Sequence, residues 1–371
     1  MTDAALTRVP ATEHADEIED CLVRLLAERM PRAGRYGSHF AQLWQLATES
    51  VLGGKLIRPS LLIRTFDALA GGPEYQTQPR ATALRIAAAI ELLHFAFLIH
   101  DDVIDEDLIR RGAPNVIGKL LHDPLPVRSD AHGWDPARAN RTHWARSNGI
   151  LLGDLMLTAA HQTFAREPLP HPVRTRLLDL LEHTTTESVV GEHYDVGLSD
   201  GIIPANLETV IETSRLKTAT YTFELPLRAG AILAGADTQL EEHLGEMARH
   251  LGTAFQLQDD LLSAFGDTRD HGKDAFSDFR ERKETALIAF ARTTSAWPAI
   301  EARFGGATFT EADGRAIRSL LASCGAEAAI GTMIDQRLRA ATELSSSSGT
   351  VPRELGCLVT SLVDSLQGRT T

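Results

Sequence analysis

Apolar residues recur at intervals of three and four along most of the chain, the spacing that lays one stripe along one face of a helix. The segments AQLWQLATESVLGG, RATALRIAAAIELLHFAFLIHDDVID, NGILLGDLMLTAAHQTFA, VRTRLLDLLEHTTTESVVGEHYDV and LEEHLGEMARHLGTAFQLQDDLLSAF all carry it. Strict apolar/polar alternation, the mark of a half-buried strand, is nearly absent. Clusters of Pro, Gly and Ser at AGGPEYQTQP, REPLPHPV, SDGIIPAN and SSSSGTVP punctuate the helices, and none is long enough for an interdomain linker. The pattern predicts an all-α fold, a single domain over residues 1–371, with short connections that make neighbouring helices antiparallel. Residues 1–15 are expected to be flexible. Residues 118–148, with their prolines, tryptophans and charges, interrupt the period and read as a surface excursion with some helix of its own.

Polar positions are most unusual in LIHDDVIDEDLIRRG, where five of the seven residues from 101 to 107 are acidic and directly follow the apolar run AAAIELLHFAFLI. Carboxylates that close repel one another unless a cation shares the site. On a helix His94, Phe97, Asp101 and Asp105 fall on one side, which stacks Asp101 and Asp105 one turn apart with Asp102 beside them. Carboxylates in that register suit a hard cation such as magnesium, with water and substrate phosphates completing its shell. Most acidic runs are merely solvated helix ends. Here the apolar lead-in implies an interior helix that ends in a cavity. A second pair, Asp259 and Asp260 in FQLQDDLLSAFGD, repeats the arrangement far along the chain, and two such clusters suggest facing halves of a metal-diphosphate site.

Composition narrows the class. With 371 residues, 43% of them apolar, the chain can bury a sizeable core. Thirty-seven basic against fifty acidic residues leave a net charge of −13, which argues against nucleic acid as a partner. Cys21, Cys324 and Cys357 are scattered, so neither a disulfide framework nor a thiolate zinc site is indicated, and a reducing cytoplasm fits. The N-terminus has no basic start followed by an apolar core, and no stretch is expected to reach the length needed to span a bilayer.

Taken in order, the motifs resemble those of the trans-isoprenyl diphosphate synthases, the polyprenyl synthetase family that includes geranylgeranyl and farnesyl diphosphate synthases, over about residues 40 to 290. GGKLIRP is similar to the family's Gly-Gly-Lys-x-x-Arg-Pro, implying that Lys55 and Arg58 grip the diphosphate of isopentenyl diphosphate. ELLHFAFLIHDDVIDEDLIRRG resembles the first aspartate-rich motif. It implies His94 and Arg111 at the isopentenyl site, Asp101 and Asp105 on magnesium with Asp102 between them, and Arg110 on the allylic diphosphate. LLGDLML matches the central helix, and GEHYDV looks like the Gly-Gln-x-x-Asp segment with Glu192 in place of glutamine. Lys217 and Thr218 in LKTATY, Gln256 before the second motif, and Lys273 and Lys283 in GKDAFSDFRERKET would be further substrate contacts; Asp259 would hold metal, with Asp260 beside it. The second motif departs from the family pattern, carrying Ser263 at the usual fifth-position Asp, with Asp267 two turns beyond Asp259.

What the resemblance implies is a helical bundle around a deep central cavity, three magnesium ions per site, a homodimer, and isopentenyl and allylic diphosphates as substrates. Product length would follow from how deep the cavity runs below the first acidic cluster. Ala96 leaves room there and Phe97 could form a floor, which points to geranylgeranyl diphosphate, with farnesyl diphosphate next. The form of the second motif also suits a class I terpene cyclase. Ser263 and Glu192 leave open a catalytically silent partner subunit that binds prenyl diphosphates.

Overall fold

The computed structural model describes residues 14–70, 72, 77–110, 112–122, 138–266, 276–305, 308–346 and 351–368. Among these the secondary structure is almost wholly helical, as the periodicity predicts. The expectation for residues 1–15 falls outside the description up to residue 13, and helix α1 begins at Ala15. Backbone contacts divide the chain into two compact units, Ala11–Ile63 with Gln78–Leu178, and Arg64–Thr77 with Asp179–Thr371.

The first unit contains α1 (Ala15–Ala27), α2 (Met30–Gly34), α3 (Ser38–Val51), α5 (Arg80–Ile104), α6 (Val116–His122) and α7 (Arg138–Arg166); α4 (Ile57–Ala70) and α8 (His171–Ser199) contribute residues to both units. Helix α5 is the core element, buried on most of its circumference. Its small residues Ala87, Ala88 and Ala89 are fully enclosed, and its main partner is α7, which turns Ala145, Leu152, Met156 and Ala160 inward at helical spacing. The expectation that no stretch could span a bilayer needs correcting. By length and composition α5 alone among the described single helices is sufficient, yet 78% of its most apolar stretch is covered by the protein's own residues, which makes it a core helix. The predicted excursion is also shorter than expected. Its two ends are helical, 118–122 finishing α6 and 138–148 opening α7, and Ile117, Gly118 and Leu120 of α6 are buried. Residues 123–137 lie outside the description.

In the second unit a ten-residue π-helical stretch, Arg215–Glu224, follows α9 (Leu207–Ser214) and leads into α10 (Leu225–Ala234) and α11 (Thr238–Phe265). The Asp237 side chain caps α11 by accepting the Leu240 N–H at 2.8 Å. Helices over 286–291, 326–345 and 353–367 pack against α11, burying its C-terminal half, including the polar residues Gln256, Gln258, Asp259 and Asp260.

Candidate active site

Helix α5 carries Asp101 and Asp102 inside its last turn, where they are 9% and 3% exposed. Asp105 is the capping residue just beyond and is exposed; its N–H donates to the Asp101 carbonyl at 2.8 Å. The chain then reverses through a two-residue antiparallel ribbon, β1 (Ile109–Arg110) and β2 (Ala113–Pro114), in which Arg110 faces Ala113. Gly112 makes the reversal possible at φ 72°. The ribbon swings Arg110 back over the helix end. Its Nη2 donates to Asp101 Oδ2 at 2.9 Å and to Asp102 Oδ1 at 2.6 Å, and its Nε donates to Asp102 Oδ1 at 2.8 Å. Burial pushes the Asp102 carboxyl up to about 6, although the charge and hydrogen bonds of Arg110 pull the other way. The crowded acids thus have a cation supplied by the chain itself, a partner that the sequence reading had assigned to the allylic diphosphate. Asn115 holds the exit of the ribbon, its amide donating to the Asp107 carbonyl and its side-chain oxygen accepting the Gly118 N–H, each at 2.8 Å.

A cavity of about 240 Å³ opens beside this helix end, lined by Gly53, Gly54, Glu91, His94, Asp102 and Arg110 among others. It brings the glycines of GGKLIRP, His94 and the first acidic motif to one place. Arg58 is buried in the first turn of α4 and Lys55 is half-buried. Ala96 is enclosed while Phe97 is half-buried, about 100° further round the helix.

The second constellation lies wholly in the other unit. Lys217 Nζ sits 2.9 Å from Glu192 Oε2 and 2.6 Å from Asp195 Oδ2, pinned by two carboxylates of α8. Asp260 accepts from Gln256 Nε2 at 3.2 Å and from the Ala286 N–H at 3.3 Å. Burial raises its carboxyl to about 7, with the nearby Asp278 adding to the rise and the charge of Lys283 opposing it. Burial works against the charge on Lys283, but Asp278 and Asp195 outweigh it and hold the amine above the ordinary lysine value. Lys217, Thr218, Gln256, Asp260, Lys283 and Asp195 together line a recess of about 30 Å³, room for little more than one water. The Gln256 side-chain oxygen is buried there with no hydrogen-bond partner among the described residues. Asp259 is buried beside Asp260, and Ser263 follows one turn later on α11. Asp195 and Asp278 were missing from the predicted site. Asp195 was legible as the last residue of the GEHYD segment, whereas Asp278 has no local signal. Arg111, Lys273 and Asp267 fall outside the described residues.

Both clusters offer carboxylate oxygens, with Asp105 exposed at a helix end, and that donor chemistry fits magnesium. Another grouping does not. His183, Glu187 and Glu224 place ligand atoms within 4.8 Å of one another, but Arg215 lies 3.0 Å from Glu187, and Arg228 and Arg249 lie 2.7 and 3.3 Å from Glu224. Its carboxylates are already neutralised.

The helical fold, with one aspartate pair in the last turn of α5 and another in the C-terminal half of α11, each attended by basic side chains, is that of the isoprenoid-synthase class. The polyprenyl synthetase profile matches residues 41–313, and the chain belongs to that family. It is 32% identical over 242 residues to the geranylfarnesyl diphosphate synthase of Aeropyrum pernix, covering 64% of this chain and 66% of that one. It is 33% identical over 238 residues to the geranylgeranyl diphosphate synthase of Sulfolobus acidocaldarius, covering 64% and 62%. The match thus spans just under two thirds of these relatives. Among solved structures, the geranylgeranyl pyrophosphate synthase of Corynebacterium glutamicum, crystallised with isoprenyl diphosphate and magnesium, superposes with a TM-score of 0.86 at 29% identity, covering 98% of this chain and all of that one.

Proposed function

We propose that the chain is a magnesium-dependent prenyltransferase that condenses isopentenyl diphosphate head to tail with an allylic diphosphate. The product would be a medium-chain trans-prenyl diphosphate, geranylgeranyl diphosphate foremost and farnesyl diphosphate next. What carries this reading is the grouping of Lys217, Thr218, Gln256, Asp260 and Lys283 around one recess in a chain of this family. No hydrolase or nucleophile-base pair is needed to explain such a set.

Asp101, Asp105 and Asp259 would hold three magnesium ions, which when bound neutralise the allylic diphosphate and stabilise it as a leaving group. Lys217, Lys273 and Arg110 would add fixed positive charge at the oxygens that gain electrons as the allylic C–O bond breaks. Lys55, Arg58, His94 and Arg111 would hold isopentenyl diphosphate so that its double bond meets the allylic cation, a task of positioning that asks for no protein nucleophile. The new C–C bond takes the alkene's electron pair, and the proton shed from the adduct passes to the departed diphosphate. Ala96 and Phe97 would set how far the growing tail extends.

A homodimer in a reducing cytoplasm completes the proposal. The three cysteines, all free thiols with Cys21 buried, are consistent with that compartment. The test is chromatography of dephosphorylated products after incubating the purified protein with magnesium, isopentenyl diphosphate and each allylic primer in turn. Prenyl alcohols longer than the primer are expected. A hydrocarbon or cyclic alcohol from an allylic diphosphate alone would indicate a cyclase instead, and no turnover of any mixture would indicate a silent subunit.

A further inference from the structure

Lys217 and Thr218 are carried by a stretch that ought not to hold its shape unaided. A π-helix is wider than an α-helix, with i→i+5 hydrogen bonds, and is rarely longer than a single turn. Here it runs for ten residues, 215 to 224. Contacts from two neighbouring helices hold it. Glu187 on α8 accepts from Arg215 Nη1 at 3.0 Å and Nη2 at 3.3 Å, and from Thr220 Oγ1 at 2.7 Å. Arg215 and Thr220 are five residues apart, one π turn, so a single carboxylate ties both ends of the turn that contains Lys217 and Thr218. One α-turn further along α8, Gly191 lets the two backbones meet: a Cβ there would lie 2.2 Å from the Lys217 nitrogen. From the other side Gly252 of α11 does the same, its would-be Cβ lying 2.3 Å from that of Ala219. Next along α8, Glu192 and Asp195 receive the Lys217 ammonium. Contacts at 187, 191, 192 and 195 thus read out one register of the π stretch against α8.

We infer that Glu187 is a positioning residue for the allylic diphosphate, its carboxylate holding the π turn that presents Lys217 and Thr218. The inference rests on the prenyltransferase reading above. Burial pushes the Glu187 carboxyl up, but the hydrogen bonds of Arg215 and Thr220 and the charges of Arg215 and His183 leave it below the ordinary glutamate value, so it is an anion at neutral pH. Glu187 and Arg215 also line an open recess of about 530 Å³, so truncation at 187 meets solvent and leaves no sealed core cavity. Glu187 itself contacts none of the residues assigned to isopentenyl diphosphate in the described hydrogen bonds and ion pairs.

The test is steady-state kinetics of Glu187→Ala, Glu187→Gln and Thr220→Val at saturating magnesium, with each substrate varied in turn. A misplacement of about 1 Å can cost on the order of a hundredfold, so Glu187→Ala is expected to raise KM for the allylic diphosphate by roughly 10- to 100-fold. KM for isopentenyl diphosphate should stay within about twofold of wild type. Glu187→Gln, which keeps an acceptor for Thr220 but not the charge facing Arg215, should fall between, and Thr220→Val should shift the same constant by a smaller factor. A carboxylate that only stabilised the fold would lower the active fraction and leave both KM values alone; that result, or equal rises in both, overturns the inference. Should Glu187→Ala not fold, the Gln and Val variants decide it by the same split. Inactive wild-type protein would sink the prenyltransferase reading itself, whereas active wild type with an unmoved allylic KM in the variants sinks only the role of Glu187.

Discussion

Asp101 and Asp105 could be read from the chain because a step of four residues is a local property of a helix. Arg110 could be read only as a nearby cation. That it folds back onto Asp101 and Asp102 depends on a ribbon two residues long, below any periodicity that a sequence shows. Asp278, which with Asp195 holds the Lys283 amine above the ordinary lysine value, was harder still, since it approaches from a separate segment with no local signal. At this scale two outcomes are expected. Asp101→Ala removes one of the two carboxylates, with Asp105, proposed to hold magnesium at this helix end, while Asp102 stays engaged with Arg110, so magnesium-dependent condensation should fall at least a thousandfold, on the order expected for losing metal-assisted charge stabilisation. Product formation across a magnesium titration checks it, and near-wild-type turnover would remove the metal role from Asp101. Phe97→Ala opens space one turn below Asp101. Its products should lengthen by one or more isoprene units, read by chromatography of the dephosphorylated alcohols, and an unchanged profile would place the floor elsewhere.

Helices were legible from apolar spacing, but their local departures were not. RLKTATYTFE carries no local signal of a π form, which is accommodated by close approach at Gly191 and Gly252, contacts that local propensity does not encode. This gives a paired prediction. Gly191→Ala drives a methyl to 2.2 Å from the Lys217 nitrogen, so α8 and the π stretch must part; a stability loss of about 1–3 kcal/mol is expected from overpacking together with a drop in kcat/KM. Gly331→Ala is the control, with nothing within 4 Å of the added methyl on the helix 326–345. It should gain about 0.5–1 kcal/mol from helix propensity with unchanged kinetics. Urea denaturation followed by circular dichroism separates the two. The Glu187 clamp adds a pH signature to the same element. Its folded carboxyl lies below the ordinary glutamate value, so its contribution is complete above that value and is lost as pH falls through the lowered one. The stability difference between wild type and Glu187→Gln should therefore be constant near neutrality and shrink in acid; a gap that widens as pH falls would mean that Glu187 is not held as an anion.

For the whole chain, the helical class came through from residue pattern, because it rests on local spacing repeated over many turns, whereas the series of motifs came through only as a resemblance to the polyprenyl synthetase family. The ion count and tail depth did not, since they turn on distances between carboxylates and side chains far apart in sequence. Net charge offers a last test that involves every residue. The chain carries −13, while both proposed substrates are polyanions. Its long-range field would therefore oppose their approach, and on the proposed reading the attraction would come from short-range contacts with Arg110, Lys217 and Lys283 and from magnesium. Salt screens charges separated by more than a Debye length, about 10 Å at 0.1 M, far more than it screens half-buried pairs in contact. Raising ionic strength from about 50 to about 300 mM at saturating free magnesium should then weaken the repulsion more than the grip, and kcat/KM should rise roughly two- to threefold. A steep fall would mean that the cationic side chains dominate the field at the mouth of the site and steer substrates from a distance despite the acidic total.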